Sequence, residues 1–379
     1  LAASATAAAS AVNGLQVIGF SLRELARAGA ITASPQGSTA LLTNPAGIGV
    51  VAPGTELTLQ IARLNEHAEF NAVPGSRARS DRDSAVLPSF GLTSATKDKR
   101  VRVGLALGAA SGAGVAYSWP ALAAAGNSDY RNVRYSAGAA FEASPGLHLG
   151  FALSYYNAQL SFSNPGFGAN TLPSAFGSTG QTEGWGYHLG VLYRLPEAGV
   201  QFGATYISRN NLRATRYSAP EGRYTAKFDF PEQYALGVAW EKNGWSAALD
   251  YKLIRYSQTL TNFIIAGPGL PAGGVDLAPN WSDQNVWALS VAYRHAAGWD
   301  VAIGYNEGRS PVPDSTISRS FLFPAIQERS YTLGGSYRVS DRADLGLAWV
   351  HSPKKTQSDG VMTISGQTDT LVLGGTYRF

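Results

Sequence analysis

Apolar and polar positions alternate with a period of two along most of the chain. Near the C-terminus Leu371, Leu373, Tyr377 and Phe379 interleave with Thr370, Val372, Gly374, Thr376 and Arg378. The same pattern occurs at Trp287, Leu289, Val291 and Tyr293, at Trp245, Ala247, Leu249, Tyr251 and Leu253, and at Tyr331, Leu333, Tyr337 and Val339. A period of two puts each set on its own face of a β-sheet. A soluble sandwich would give the same alternation, with its large residues turned to a core, so the connections have to decide. Six are tight and polar: Lys97–Arg100, Ser144–Leu147, Pro196–Gly199, Lys242–Gly244, Ala296–Gly298 and Ser340–Ala343. Seven long ones lie between them, near Glu66–Ser84, Ser118–Arg131, Ser161–Gly184, Arg209–Gly222, Leu260–Asn285, Asn306–Ser320 and His351–Gly360. Short and long connections alternate strictly, as in outer-membrane barrels with short periplasmic turns and long outer loops. Thirteen connections predict fourteen antiparallel strands, and the even number puts both chain ends on the periplasmic side.

The two faces fit that reading. One carries large residues with aromatics near strand ends (Trp240, Trp245, Trp287, Trp299, Trp349, Tyr337), as interfacial girdles require. The other is Ala, Gly, Ser and Thr with scattered charge, which leaves room inside. A closed barrel also satisfies every backbone polar group in lipid, which an open sheet does not. The terminal Phe379, with Tyr377 two residues before it, resembles the signal read by the outer-membrane barrel assembly machinery.

Composition narrows the field. Of the 379 residues, 45% are apolar and only 15% charged, against about 25% charged in ordinary soluble domains. Cys is absent, which excludes disulfide scaffolds, thiolate metal sites and cysteine nucleophiles. A net charge of +4 is too weak and too dispersed for a nucleic-acid surface. The longest uncharged run, Val103–Ser128, is mostly Ala, Gly and Ser with Trp119-Pro120 inside it, poor material for a membrane helix. The chain begins without Met, and its Ala-rich start, Leu1–Ala11, reads as the remnant of a trimmed secretion signal.

Some fifty residues of another kind precede the first strand, expected at Glu56–Leu64. Phe20–Gly29 is short-helix material, with Ser21 placed as N-cap and Glu24 three residues on, a capping box. A turn at Ser34–Ser38 and the run Asn44-Pro45-Ala46-Gly47 follow. In a fourteen-stranded barrel an empty lumen would leak, so residues 1–53 are expected to form a hatch, or plug, inside a barrel of residues 54–379.

Three stretches, in order, resemble the FadL-type outer-membrane transporters, which take up long-chain fatty acids or, in the toluene/xylene relatives, aromatic hydrocarbons. They are Gly19-Phe20-Ser21-Leu22-Arg23-Glu24-Leu25 with Thr43–Gly47, then Phe228–Tyr234 around Pro231-Glu232, then Gly308–Asp314 with its Ser310-Pro311-Val312-Pro313. The resemblance implies fourteen strands, a lumenal hatch that shifts on ligand binding, and sideways exit where the third strand is kinked. Compact loops such as Ser161–Gly184 depart from a fatty-acid member, so fatty acid and hydrocarbon both stay open.

On the residues themselves, Phe167, Leu172 and Phe176 in one loop and Phe263, Ile264, Ile265 and Leu270 in another are candidates for first capture of a hydrophobic ligand; the alternative is that they pack the loops on each other. Phe20, Asn44, Pro45 and Ala46 are the hatch and gating candidates, Asn44 fastening the segment to inward polar groups and Pro45 stiffening the turn. Gly108, Gly112 and Gly114 interrupt the alternation of the third strand, Val101–Val115, and mark either a bulge or simple curvature. Arg102, Arg134, Arg194, Lys252, Arg294 and Arg338 are the inward cations a carboxylate would seek. The five His are scattered and neither Gly-x-Ser-x-Gly nor His-Glu-x-x-His occurs, which argues against an enzyme. A porin or a loop-presenting adhesin is the remaining alternative. The expected protein is a cofactor-free, metal-free and monomeric carrier in a Gram-negative outer membrane. Its partners would be a hydrophobic small molecule, membrane lipid and, during biogenesis, the assembly machinery.

Overall fold

The computed structural model describes residues 13–51, 54–72, 76–120, 124–163 and 174–379. Fourteen antiparallel strands pair in sequence order: β1 (Thr55–Asn71), β2 (Ser84–Ala95), β3 (Val101–Trp119), β4 (Ala124–Ser144), β5 (Leu147–Ser163), β6 (Gly180–Leu195), β7 (Val200–Ile207), β8 (Gln233–Lys242), β9 (Trp245–Ile254), β10 (Gln284–Arg294), β11 (Trp299–Gly308), β12 (Arg329–Ser340), β13 (Ala343–Ser358) and β14 (Thr363–Arg378). The sheet closes because β14 pairs with β1 from Glu56↔Arg378 to Asn71↔Thr363. Closure leaves no free edge along this seam.

The alternation sets the two faces. Leu59, Ile61, Leu105, Leu236, Trp287, Leu289, Ile303, Leu347 and Leu373 stand on the outside, exposed, while Ala62, Ala288, Ala302, Ala348 and Val372 face in and are buried. Outward aromatics form two girdles. Tyr155, Trp185, Tyr206, Tyr234, Tyr251, Trp287, Tyr305 and Tyr331 ring the long-loop end in edge-tilted pairs 5.0–5.3 Å apart. Trp240, Trp245, Tyr293, Trp299 and Tyr337 ring the short-turn end. Trp287 and Tyr293 lie six residues apart on β10, about 20 Å along the strand.

Two connections differ from the sequence reading. Ser118–Arg131 and His351–Gly360 are not long loops: β3 runs to Trp119 and β4 starts at Ala124, while β13 runs to Ser358 and β14 starts at Thr363. Inward bulky residues such as Tyr117, Tyr130 and Ile364 keep these strands packed above the lipid band, where polar outward residues made them read as loop. The same cause lengthens β1, expected at Glu56–Leu64, to Asn71, its upper turn buried by Ala68 and Phe70. In the longer loops Thr215–Ala219, Gly222–Ala226, Ile264–Ala266 and Val275–Asp276 form a small separate sheet.

Residues 13–51 occupy the lumen, almost all of them buried. A single turn of helix, α1 (Leu22–Ala26), begins at the N-cap Ser21, whose hydroxyl accepts from the Glu24 N–H at 3.3 Å. The Glu24 carboxylate reaches back to accept from the Phe20 N–H at 2.6 Å, completing the capping box, and takes the Thr39 hydroxyl at 2.7 Å. Burial pushes this carboxyl up, and those two bonds oppose the shift. Two 3₁₀ segments, Ser38–Leu42 and Pro45–Val50, complete the chain to the short-turn end.

Candidate functional site: a lumenal cavity, a slot and a gap in the wall

The wall grips the lumenal segment through its backbone. Asp250 on β9 accepts from the N–H groups of Ile31 (2.9 Å) and Thr32 (2.8 Å) and from the Thr32 hydroxyl (2.6 Å). Asn306 on β11, Thr332 on β12 and Lys252 on β9 donate to the carbonyls of Ala28, Ala26 and Gly29 at 2.8–2.9 Å. Thr205 on β7 donates to Thr43 O at 3.0 Å, Ser89 on β2 donates to Phe20 O, and Arg134 on β4 donates to Leu42 O. Asn44 donates to Thr32 O (2.8 Å) and Val191 O (3.1 Å) and accepts from the Ala46 N–H at 3.2 Å. Pro45 thereby opens the second 3₁₀ segment with no N–H to lose.

Close approach of segment and wall requires glycine. A Cβ at Gly203 would collide with Thr32 O, and one at Gly150 would collide with the backbone of Pro45 and Ala46. Gly108 serves the Phe20 ring, which a Cβ there would meet at 2.6 Å. The sequence suggested Gly108 as bulge or curvature; what it shares with Gly203 and Gly150 is a lumenal neighbour, which no local pattern reveals.

Above the segment lies a small cavity. Phe20, Ile31 and Leu42 form its floor, and Tyr156, Ile207, Phe230 and Ala110 its walls, with Arg134 and Lys252 at its edge. The Arg134 guanidinium sits 4.8 Å from the Phe20 ring centroid, pairs with no carboxylate among the described residues, and keeps its Nε buried without a partner. Of the other cations, Arg102 donates to Val51 O and Gly54 O, while Arg294 and Arg338 face Glu241 and Asp344 near the short turns.

A second, narrow space opens beside the first, lined by Ile18, Leu25, Leu64, Leu87, Pro88 and Val350. It adjoins a break in the wall. The β2–β3 ladder ends at Ser89↔Gly108, so Ser84–Pro88 and the part of β3 beyond Gly108 have no strand partner in each other. Pro88 offers no N–H to continue the ladder. The β3–β4 register slips between Ala109 and Ser111, a bulge, and the wall rejoins where Asp81 N–H donates to Ala116 O at 2.8 Å. Across the break the Gly112 N–H turns to Leu15 O at 3.3 Å, and Gln16 bridges to Ser111. Gly108, Gly112 and Gly114 all stay in the β3–β4 ladder, opposite Arg134, Arg131 and Asp129.

The long-loop end is shut by an aromatic core. Phe70 stacks on Phe321 at 4.5 Å, Phe162 on Phe176 at 5.0 Å, and Phe263 lies 5.5 Å from Phe162 and 5.6 Å from Phe228. Phe176, Phe263 and Ile265 are therefore buried here, Leu270 packs against the same core, and Ile264 is 47% exposed. Phe167 and Leu172 lie outside the described residues.

The outer membrane protein transport protein family (OMPP1/FadL/TodX) has a sequence profile that matches residues 1–372. The chain belongs to this family. Among solved structures it is similar to the Pseudomonas putida toluene transporter TodX, with a TM-score of 0.76 and 18% identity over 96% of this chain and 99% of that one. A Pseudomonas aeruginosa FadL homologue gives 0.77 and 14% over 97% and 100%, and the Ralstonia pickettii toluene transporter TbuX gives 0.74 and 19% over 96% and 99%. These likenesses establish the shared fold. No curated protein sequence matches the chain. Membership gives the barrel its place in the outer membrane of Gram-negative bacteria. What sequence reasoning missed within this FadL-family barrel is Asp250, the principal acceptor of the lumenal segment. Its signal was available: an acid in the small-residue, inward set of β9.

Proposed function

We propose that this protein is a passive carrier that admits hydrophobic small molecules to the outer membrane. In this reading the short turns and both termini face the periplasm. The aromatic loops, with Ile264 and Leu270 at their surface, take up the ligand, and the cavity over Phe20 holds it. Residues 1–53 act as the hatch, with Asn44, Pro45 and Ala46 at its fastening, and exit runs through the break beside Gly108 and Gly112. The observation that carries the reading is the break itself: an apolar slot inside the barrel meets β2 at Pro88, which pairs with β1 but not with β3, while Leu15 and Gln16 bond to the facing part of β3. Water-filled diffusion would need no such arrangement. A catalytic role has little support, since Ser154 and His188, 3.2 Å apart, are both fully buried and no carboxylate orients the ring.

Aromatic hydrocarbons and long-chain acids are two ligand classes with support of their own. The toluene transporters among its structural neighbours support the first; the unpaired Arg134 at the cavity edge supports the second, because a buried guanidinium favours a carboxylate. The test is uptake of oleate, toluene and an alkane by cells lacking their own carrier. Uptake above background for at least one is expected; equal uptake with and without the protein for all three rejects the carrier.

A further inference from the structure

Beyond the slot stands a buried polar group without a partner. Glu66 faces inward on β1 at 1% exposure, its N–H bonded to Asp83 O at 2.7 Å, and neither carboxyl oxygen has a partner. Gln327, from the chain just before β12, is equally buried, and both of its amide atoms are unpartnered too. The amide lies over Gly366, which leaves space for it by having no Cβ. Gly366 pairs with Ala68 and Thr368 with Glu66, so Glu66 and the Gln327 amide over Gly366 stand on adjacent inward rows. The polar row continues through Thr368↔Ser352 to Ser330, whose hydroxyl is 2.6 Å from that of Ser352.

Above this row is the aromatic lid of Phe70 and Phe321; below it the next inward pair, Leu64↔Thr370, already lines the apolar slot. Buried polar atoms are normally bonded, and leaving a buried carboxyl without a partner is unfavourable. Four such atoms on the inward rows just beyond Leu64 and Thr370, which line the slot, therefore suit one end of a ligand. A hydrocarbon leaves all four unsatisfied, and a carboxylate meets a like charge. An ammonium would bring a second ion through apolar surroundings to reach the row. A hydroxyl both donates and accepts, which suits a carboxyl beside an amide.

We propose that Glu66 and Gln327 form a binding site for the hydroxyl head of a neutral amphiphile, a long-chain alcohol or alkylphenol, whose apolar body lies in the slot. The proposal rests on the carrier reading and specifies one substrate class for it. It is tested by equilibrium binding of radiolabelled dodecanol, dodecane and dodecylamine to the full chain in phosphatidylcholine nanodiscs, corrected for partition into empty discs. Dodecanol should bind about tenfold more tightly than dodecane, the worth of a buried hydrogen bond. Glu66→Met and Gln327→Met should each bring dodecanol down to the dodecane level with dodecane unchanged, and Glu66→Gln should keep the difference. Heat-modifiable gel mobility reports folding of each barrel, and either Met variant suffices if the other does not fold. An alcohol preference that is absent, or that survives the Met changes, overturns the proposal while dodecane binding upholds the carrier. Tighter binding of dodecylamine than of dodecanol overturns it in favour of an ion pair. Binding of neither alkane nor alcohol overturns the carrier reading itself.

Discussion

The barrel is closed twice, and by different physics. At the long-loop end the closure is an aromatic core in which Phe70, Tyr117, Trp119, Phe321, Phe162 and Phe176 bury one another. Inside, residues 13–51 are held mainly through backbone carbonyls and N–H groups that meet Asp250, Asn306, Thr332, Lys252, Thr205 and Arg134 on glycine-lined wall. Apolar burial is non-directional and tolerates sliding, and a hydrophobic ligand is able to replace one aromatic neighbour by another. Hydrogen bonds to the backbone fix register and are indifferent to a hydrocarbon. In the proposed carrier reading, the loop-end closure admits an apolar molecule and the lumenal one stays in place until a specific bond is lost.

The largest test of this contrast removes the inner closure altogether. Deleting residues 1–51 should raise single-channel conductance in planar bilayers by an order of magnitude or more, since a barrel of this size is wide enough for water. A trace as quiet as the full chain's would mean that the loops alone seal it. Next, Phe321→Ala should loosen the outer core by about 3–5 kcal/mol. Hydrogen exchange should then quicken around Phe70 and Tyr117 while Ile31 and Thr32 stay protected. Asp250→Ala should do the reverse, costing about 2–3 kcal/mol at the lumenal segment, so that exchange at Ile31 and Thr32 becomes on the order of 100-fold faster with the loops unaffected. Spread of either effect to the other region would show that the closures act as one. The smallest effect is expected of Asn44→Ala, about 1–2 kcal/mol. It removes two donated bonds and the turn closure at Ala46 but leaves Asp250 in place, so protection should fall at Ala46 and little at Thr32.

The candidate site was legible in pieces. Ser21 and Glu24 announced their helix start because a capping box is local, and the residues run in the order the chemistry needs. Asn44 was marked as a fastening by type alone, but its partners, Thr32 and Val191, lie 12 and 147 positions away. The cations show the same limit: Arg134 and Arg338 look alike in an alternating strand, yet one lines the cavity and the other sits near a short turn beside Asp344. Ser118–Arg131 read as a loop because its outward residues are polar, and only the packing of Tyr117 and Tyr130 inside explains why it stays strand.

Sequence alone settled the period of two, the six tight turns and the resulting closed barrel of fourteen strands, because strand alternation and turn chemistry act between near neighbours. The tertiary structure decided where β2 and β3 part, which glycines seat the lumenal segment, and which buried polar groups meet no partner. Each of those depends on residues far apart in the chain being brought within a few ångströms, and no short pattern carries that distance.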